Sequence, residues 1–195
     1  MGVVGKVEEL LAEWPEVAGV CARLAAGERL GEGEAVVKEV AEAAGWGVDD
    51  VVEDLARIGV DPSGRVERYR ELFEKYYAEA LELKRRGDAR QAGEKLWGAV
   101  TALIKLYAAE KGVFVAHWST GKLDRFVTSN VGKEHRKLFR DLIDKAHRLH
   151  ENFYEGSLDP ETLEERWAEA LDLLEKAKRI VLDERRSEKT RQAPP

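Results

Sequence analysis

The segment Gly87–Gly112, GDARQAGEKLWGAVTALIKLYAAEKG, constrains the fold more than any other stretch of the chain. Gly87 suits the end of one helix. Asp88 is placed to cap the next, its carboxylate accepting backbone N–H groups that have no partner within the helix. From Ala92 onward the apolar residues occupy two adjoining faces: Ala92, Leu96, Ala99, Leu103 and Leu106 on one, Trp97, Val100, Ile104 and Ala108 on the other. A surface helix needs a single apolar stripe, so a helix apolar over most of its circumference must be surrounded by others. This segment is therefore expected to be the central member of a helical bundle.

The remaining segments agree with an all-α chain when read by i, i+3, i+4 spacing and by Gly and Pro punctuation. Short helices are expected over about Val4–Trp14, from Pro15 to near Gly27, over EAVVKEVAEAAG to Gly45, and from Val48 to Gly59. Asp61-Pro62-Ser63-Gly64 breaks the chain. Long helices follow over Arg65–Arg86, through the central segment, over about Lys133–Tyr154 and from Pro160 to Arg185, with a short helix from Ser119 or Thr120 to Phe126. The expected organisation is an acidic helical N-terminal subdomain (residues 1–62), an up-and-down four-helix bundle (63–186) and a frayed polar tail (187–195). Residues Trp97, Leu103, Leu142, Phe153, Trp167 and Leu174 are its predicted core.

Charge separates the two parts. Residues 1–60 carry 5 Lys+Arg against 13 Asp+Glu, a balance of 5 − 13 = −8, whereas the rest of the chain is nearly balanced. Phosphate contacts require cations, so the first part does not suit a nucleic acid. It does hold a helix–turn–helix layout, with Ala41, Gly45 and Val51 at suitable spacings. The would-be recognition helix VDDVVEDLARI, however, bears four acids and one Arg and offers little to read base edges. DNA is not an expected partner; packing on the bundle or on a protein partner is. Amide side chains and Cys are scarce among 36% charged residues, a bias expected at high temperature. Cys21 stands alone, which excludes an intrachain disulfide. No apolar run is long enough to span a bilayer and the start lacks a signal-peptide layout, so a cytoplasmic protein is expected.

Three pieces carry a resemblance: GDxxQAxEKLWGA at Gly87–Ala99, His117 after the following loop, and LHxNFYE at Leu149–Glu155. In this order they resemble the archaeal PaREP family, whose function is undetermined and which is similar to the HEPN helical bundles. The resemblance covers about Arg65–Arg179. It implies a compact up-and-down bundle, often paired with a second copy. Many HEPN proteins are metal-independent ribonucleases marked by an Arg, usually followed by a polar residue, with a His after four to six intervening positions. Arg140-Asp141 and His147 satisfy that form, making Arg140 and His147 the candidate catalytic residues. They share a helix face two turns apart, and Arg136 extends the stripe. Metal-free RNA cleavage needs a base for the 2′-hydroxyl proton and a cation for the charged phosphorane, roles that fit His and Arg.

Plainer readings stand beside these. Arg140 and His147 can belong to a solvated face with ion pairs Arg140–Asp144 and Lys137–Asp141. Trp97, Phe153 and Tyr154 can be core aromatics. His150 can sit at the core edge, bonded to Tyr154, Glu94 or a backbone carbonyl. Glu94, a carboxylate on a strongly apolar helix, must be paired or functional. If the central helix and the LHxNFYE helix run antiparallel, Glu94 comes level with His150, and Glu94, Arg136, His150 and Tyr154 are the candidate binding residues. His147, His150 and Glu151 match no standard zinc or di-iron spacing, and STGK at Ser119–Lys122 lacks the leading glycine of a phosphate loop. No metal or cofactor is expected. Two functions follow: an RNA-acting or nucleotide-binding bundle, working as a homodimer, or a non-catalytic interaction module whose acidic N-terminal part docks a protein.

Overall fold

The computed structural model describes residues 15–56, 62–113 and 120–192. The helix expected over Val4–Trp14 and the segment holding His117 lie outside these residues. Within them every regular element is an α-helix: α1 (Pro15–Ala25), α2 (Gly33–Ala44), α3 (Val48–Ala56), α4 (Pro62–Arg85), α5 (Ala89–Glu110), α6 (Thr120–Asn130), α7 (Arg136–Glu155) and α8 (Pro160–Gln192). None is long and apolar enough to cross a membrane.

The local signals act as physical chemistry dictates. Asp88 Oδ1 accepts the Gln91 N–H at 3.0 Å at the start of α5. Gly45 ends α2 in the left-handed region at φ 67°, its N–H bonded to the Glu42 carbonyl. Several boundaries differ from expectation: α6 runs past Phe126 to Asn130, and α7 begins at Arg136 rather than Lys133. Pro62, Ser63 and Gly64 form the first turn of α4 instead of a loop, because a proline at the first helical position loses no hydrogen bond. Helix α8 runs on to Gln192, since Glu, Lys, Arg and Gln are all strong helix formers.

Helix α5 is the hub. Every residue from Leu96 to Ala109 is buried. Helix α4 packs on it as an antiparallel hairpin through the turn at Gly87. Helix α7 runs antiparallel to α5: Glu94 at one end meets His150, and Tyr107 at the other stacks on Phe139 at 5.5 Å. Gly93 permits the close approach, since a Cβ there would lie 3.1 Å from that of Leu149. Helix α8 opposes α7 through Lys145–Glu169 and α4 through Lys84–Glu164 and Tyr77–Glu175. Short α6 lays Phe126 edge-on to Tyr107. Trp97, Leu103, Leu142, Trp167 and Leu174 are buried, whereas Phe153 is half-buried.

Helices α1–α3 bury Val17, Val20, Val37, Val40, Val51 and Leu55 among themselves and sit on α4 and α5. Their attachment is polar as well as apolar. Trp46 Nε1 donates to the Gly98 carbonyl at 3.0 Å, and Thr101 Oγ1 donates to that of Ala44 at 2.9 Å. The turn between α2 and α3 presses main chain against main chain: a Cβ on Gly98 would lie 2.6 Å from the Gly45 carbonyl oxygen.

Candidate functional site

At the end of the molecule where α5 begins and α7 ends, α5 contributes Glu94 and Trp97, α7 contributes His147, His150 and Tyr154, and α2 borders them with Glu42 and Ala43. Glu94 Oε2 lies 2.5 Å from His150 Nδ1, and each side chain is 12% exposed. A carboxylate only accepts, so the shared proton sits on Nδ1 and Nε2 is the ring atom left for other chemistry. The His150 ring stacks on the buried Trp97 indole at 5.7 Å. His147 meets the same indole edge-on at 5.2 Å, and the two imidazoles are 5.6 Å apart. Tyr154 closes the group, its ring edge-on to His150 at 5.2 Å and 51% exposed.

The electrostatics follow from this packing. Burial against Trp97 holds the His147 imidazole below its ordinary range, assisted by His150, and outweighs the opposing pull of Glu151 and Asp144. His147 is thereby biased toward the neutral form that accepts protons. Burial pushes the Tyr154 hydroxyl up to about 12, with Glu94 and Glu42 adding to the shift. Two adjacent imidazoles, one oriented by a carboxylate and one biased neutral, can between them take and give protons.

The predicted residues do not all gather here. Glu94, His147, His150 and Tyr154 do. Arg136 starts α7, about 21 Å from His150 along the helix at 1.5 Å per residue, and donates to the Val131 carbonyl at 3.0 Å. Arg140 turns toward α6, donating to Thr128 Oγ1 at 2.8 Å and standing 3.9 Å from Asp124. It shares the face of His147, as the seven-residue spacing requires, but about 10 Å along the axis and with different partners. The ion pair Lys137–Asp141 forms, whereas Arg140 pairs across to α6 and not with Asp144. Tyr154 is a rim residue and not part of the core.

Arg90 escaped the sequence reading. It sits beside Tyr154, its guanidinium donating to the carbonyls of Phe153 at 2.7 Å and Tyr154 at 3.0 Å, and so caps α7. The Arg90 spacing to these partners is 63 and 64 residues, beyond any local pattern.

A second polar cluster, also unforeseen, joins α3 to the long helices. Lys105 Nζ lies 2.5 Å from Asp54 Oδ2 with both side chains buried, and it faces the Trp46 and Tyr69 rings at 5.0 and 5.2 Å. Asp50 accepts from Arg68 at 2.9 Å and from Lys75 and Tyr76 at 2.6 Å each. The Tyr76 oxygen in turn accepts the Gly47 N–H at 2.6 Å. Burial raises the Asp50 carboxyl, but the hydrogen bonds from Lys75 and Tyr76 and the cations around it win and hold it below the usual range. Two acids of the N-terminal part therefore face inward, while Glu16, Glu28, Glu32, Glu34 and Glu39 face solvent. Among the described residues no three His, Cys, Asp or Glu side chains are grouped to hold a metal ion.

Residues 68–174 match the family model described as the archaeal PaREP1/PaREP8 family. No curated protein and no solved structure matches the chain.

Proposed function

The chain belongs to the archaeal PaREP1/PaREP8 family, and on that premise we propose that residues 63–186 form an up-and-down, HEPN-like four-helix bundle acting on RNA or a nucleotide without a metal. The observation that carries this reading is the convergence of EKLWGA and LHxNFYE, which brings Glu94 and Trp97 against His150, with His147 and Tyr154 alongside. His147, biased neutral, would take the 2′-hydroxyl proton. His150, its ring fixed by Glu94, would serve the leaving oxygen. Arg140, 45% exposed, would hold a neighbouring phosphate rather than the reacting one. A homodimer placing two such helices together would double these groups in one groove. Sedimentation at micromolar concentration is expected to give a species twice 21.9 kDa, and a lone monomer counts against it.

One observation favours the rival reading, a non-catalytic interaction module. Arg140 is engaged with α6, and Arg136 with the Val131 carbonyl just past its end, instead of lining an open groove with His147. Incubation with labelled RNA in EDTA separates the two. The native chain is expected to cleave, His147→Ala and His150→Ala to lose about 10²–10⁴-fold, and Arg140→Ala to lose less. No cleavage by the native chain, as monomer or dimer, overturns the reading in favour of the interaction module.

A further inference from the structure

We propose that the acidic N-terminal part is a working component of the imidazole site, with Trp97 as the positioning residue through which its docking reaches His147 and His150. The family match begins at residue 68, so α1–α3 lie outside it, yet they supply one wall of the site. Trp97 is 0% exposed and touches both imidazoles, and its Nε1–H is held at 2.9 Å by the carbonyl of Ala43, on α2. A buried indole N–H has one proton to give and must find an acceptor, so this bond selects the ring's orientation. The next turn adds a steric stop: a Cβ on Gly45 would lie 3.0 Å from the Trp97 Cδ1 atom and from the Glu94 carbonyl. Glu42, on the same helix, adds its charge beside Tyr154. One short stretch of α2 and its turn thus touches the indole, the Glu94 main chain and the field at Tyr154.

Beside the neutral bonds of Trp46 and Thr101, a charged latch farther from the site helps to hold that stretch: Asp50 on Arg68, Lys75 and Tyr76, and Asp54 on Lys105. Weakening the latch would let the indole turn and admit water to His147. The groups facing His147 are Glu151 and Asp144 on its own helix, with His150, and Trp97 from α5. The proposal rests on these imidazoles being the working site and is independent of whether the substrate is RNA.

The test is an NMR titration of the His147 and His150 ring protons in the full chain. Variants are Asp50→Asn, Trp97→Phe, and Tyr77→Phe as a control that removes an α4–α8 hydrogen bond. Asp50→Asn and Trp97→Phe are expected to raise the His147 midpoint toward the ordinary imidazole range, with Tyr77→Phe unchanged. The direction is informative, because losing the Asp50 charge through space alone would lower an imidazole midpoint. An unchanged or lowered midpoint in Asp50→Asn, or an equal rise in Tyr77→Phe, overturns the proposal, as does an unchanged midpoint in Trp97→Phe, which removes the indole the coupling runs through. Gly45→Ala, which wedges the turn without altering charge, replaces Asp50→Asn should that variant not fold. A coupled titration without RNA cleavage leaves this inference standing and removes the RNA reading.

Discussion

Single residues decide how the polar groups inside this molecule are satisfied. Glu94 sits on the extensively buried central helix and is matched by His150 across 56 residues of sequence. Glu94→Gln keeps the shape but exchanges a charge-assisted bond for a neutral one. It is expected to cost about 1–3 kcal/mol in urea denaturation. Asp50 offers a sharper test because its folded carboxyl titrates below the unfolded value of about 3.9. A depressed acid contributes stability that is present above the unfolded value and is lost as pH falls through the folded one. Asp50→Asn should therefore lower stability by about 1–3 kcal/mol at pH ~7, with the gap to the native chain closing at acid pH as the carboxyl protonates through its depressed folded value. An equal gap at both pH values would remove the assignment. The Glu94–His150 pairing was legible in the sequence, because an acid on an apolar helix must find a partner and antiparallel packing levels the two. Arg90, Asp50 and Asp54 were not, since nothing local distinguishes an inward acid from the outward ones around it.

Among elements, α5 and the α2–α3 turn carry the architecture. The two-faced apolar pattern of α5 announced a helix wrapped on all sides, and burial from Leu96 to Ala109 follows from it. What the pattern did not reveal is that part of the wrapping comes from the acidic lead-in, through Trp46, Thr101 and Gly98. Gly98 lies mid-helix, where alanine is intrinsically favoured by about 0.5–1 kcal/mol. Gly98→Ala is nonetheless expected to destabilise the chain, because the added methyl would meet the Gly45 carbonyl oxygen at 2.6 Å and Tyr76 at 3.3 Å. Overpacking of this kind costs about 1–3 kcal/mol, enough to reverse the helical gain. A raised thermal midpoint in that variant would show that the contact yields easily. Helix ends were legible where Asp88 and Gly45 act locally. The start of α4 was misread because the Asp-Pro-Ser-Gly run suits both a break and a proline-led first turn.

Across the whole molecule, the two parts that composition separates so cleanly by charge are joined through charge. The buried Asp54–Lys105 pair is the centre of that joint. Asp54→Asn alone removes the carboxylate that faces a buried ammonium, and a loss of about 3–5 kcal/mol is expected. Replacing both residues together, as Asp54→Leu with Lys105→Met, should cost far less, since well-packed apolar groups often substitute for a buried ion pair. Calorimetry on the two variants checks this, and equal losses would show that the pair contributes by more than mutual compensation. Burial holds the Lys105 ammonium below its ordinary range despite Asp54, which is why the single variant should be so costly. Where Gly45 meets Gly98, by contrast, main chain meets main chain. Both places must stay empty for the parts to close, and a glycine-to-alanine change at either would act as a wedge between them. An absence leaves no chemical group to notice, so this restriction is written in the residues that contribute the least matter to the joint.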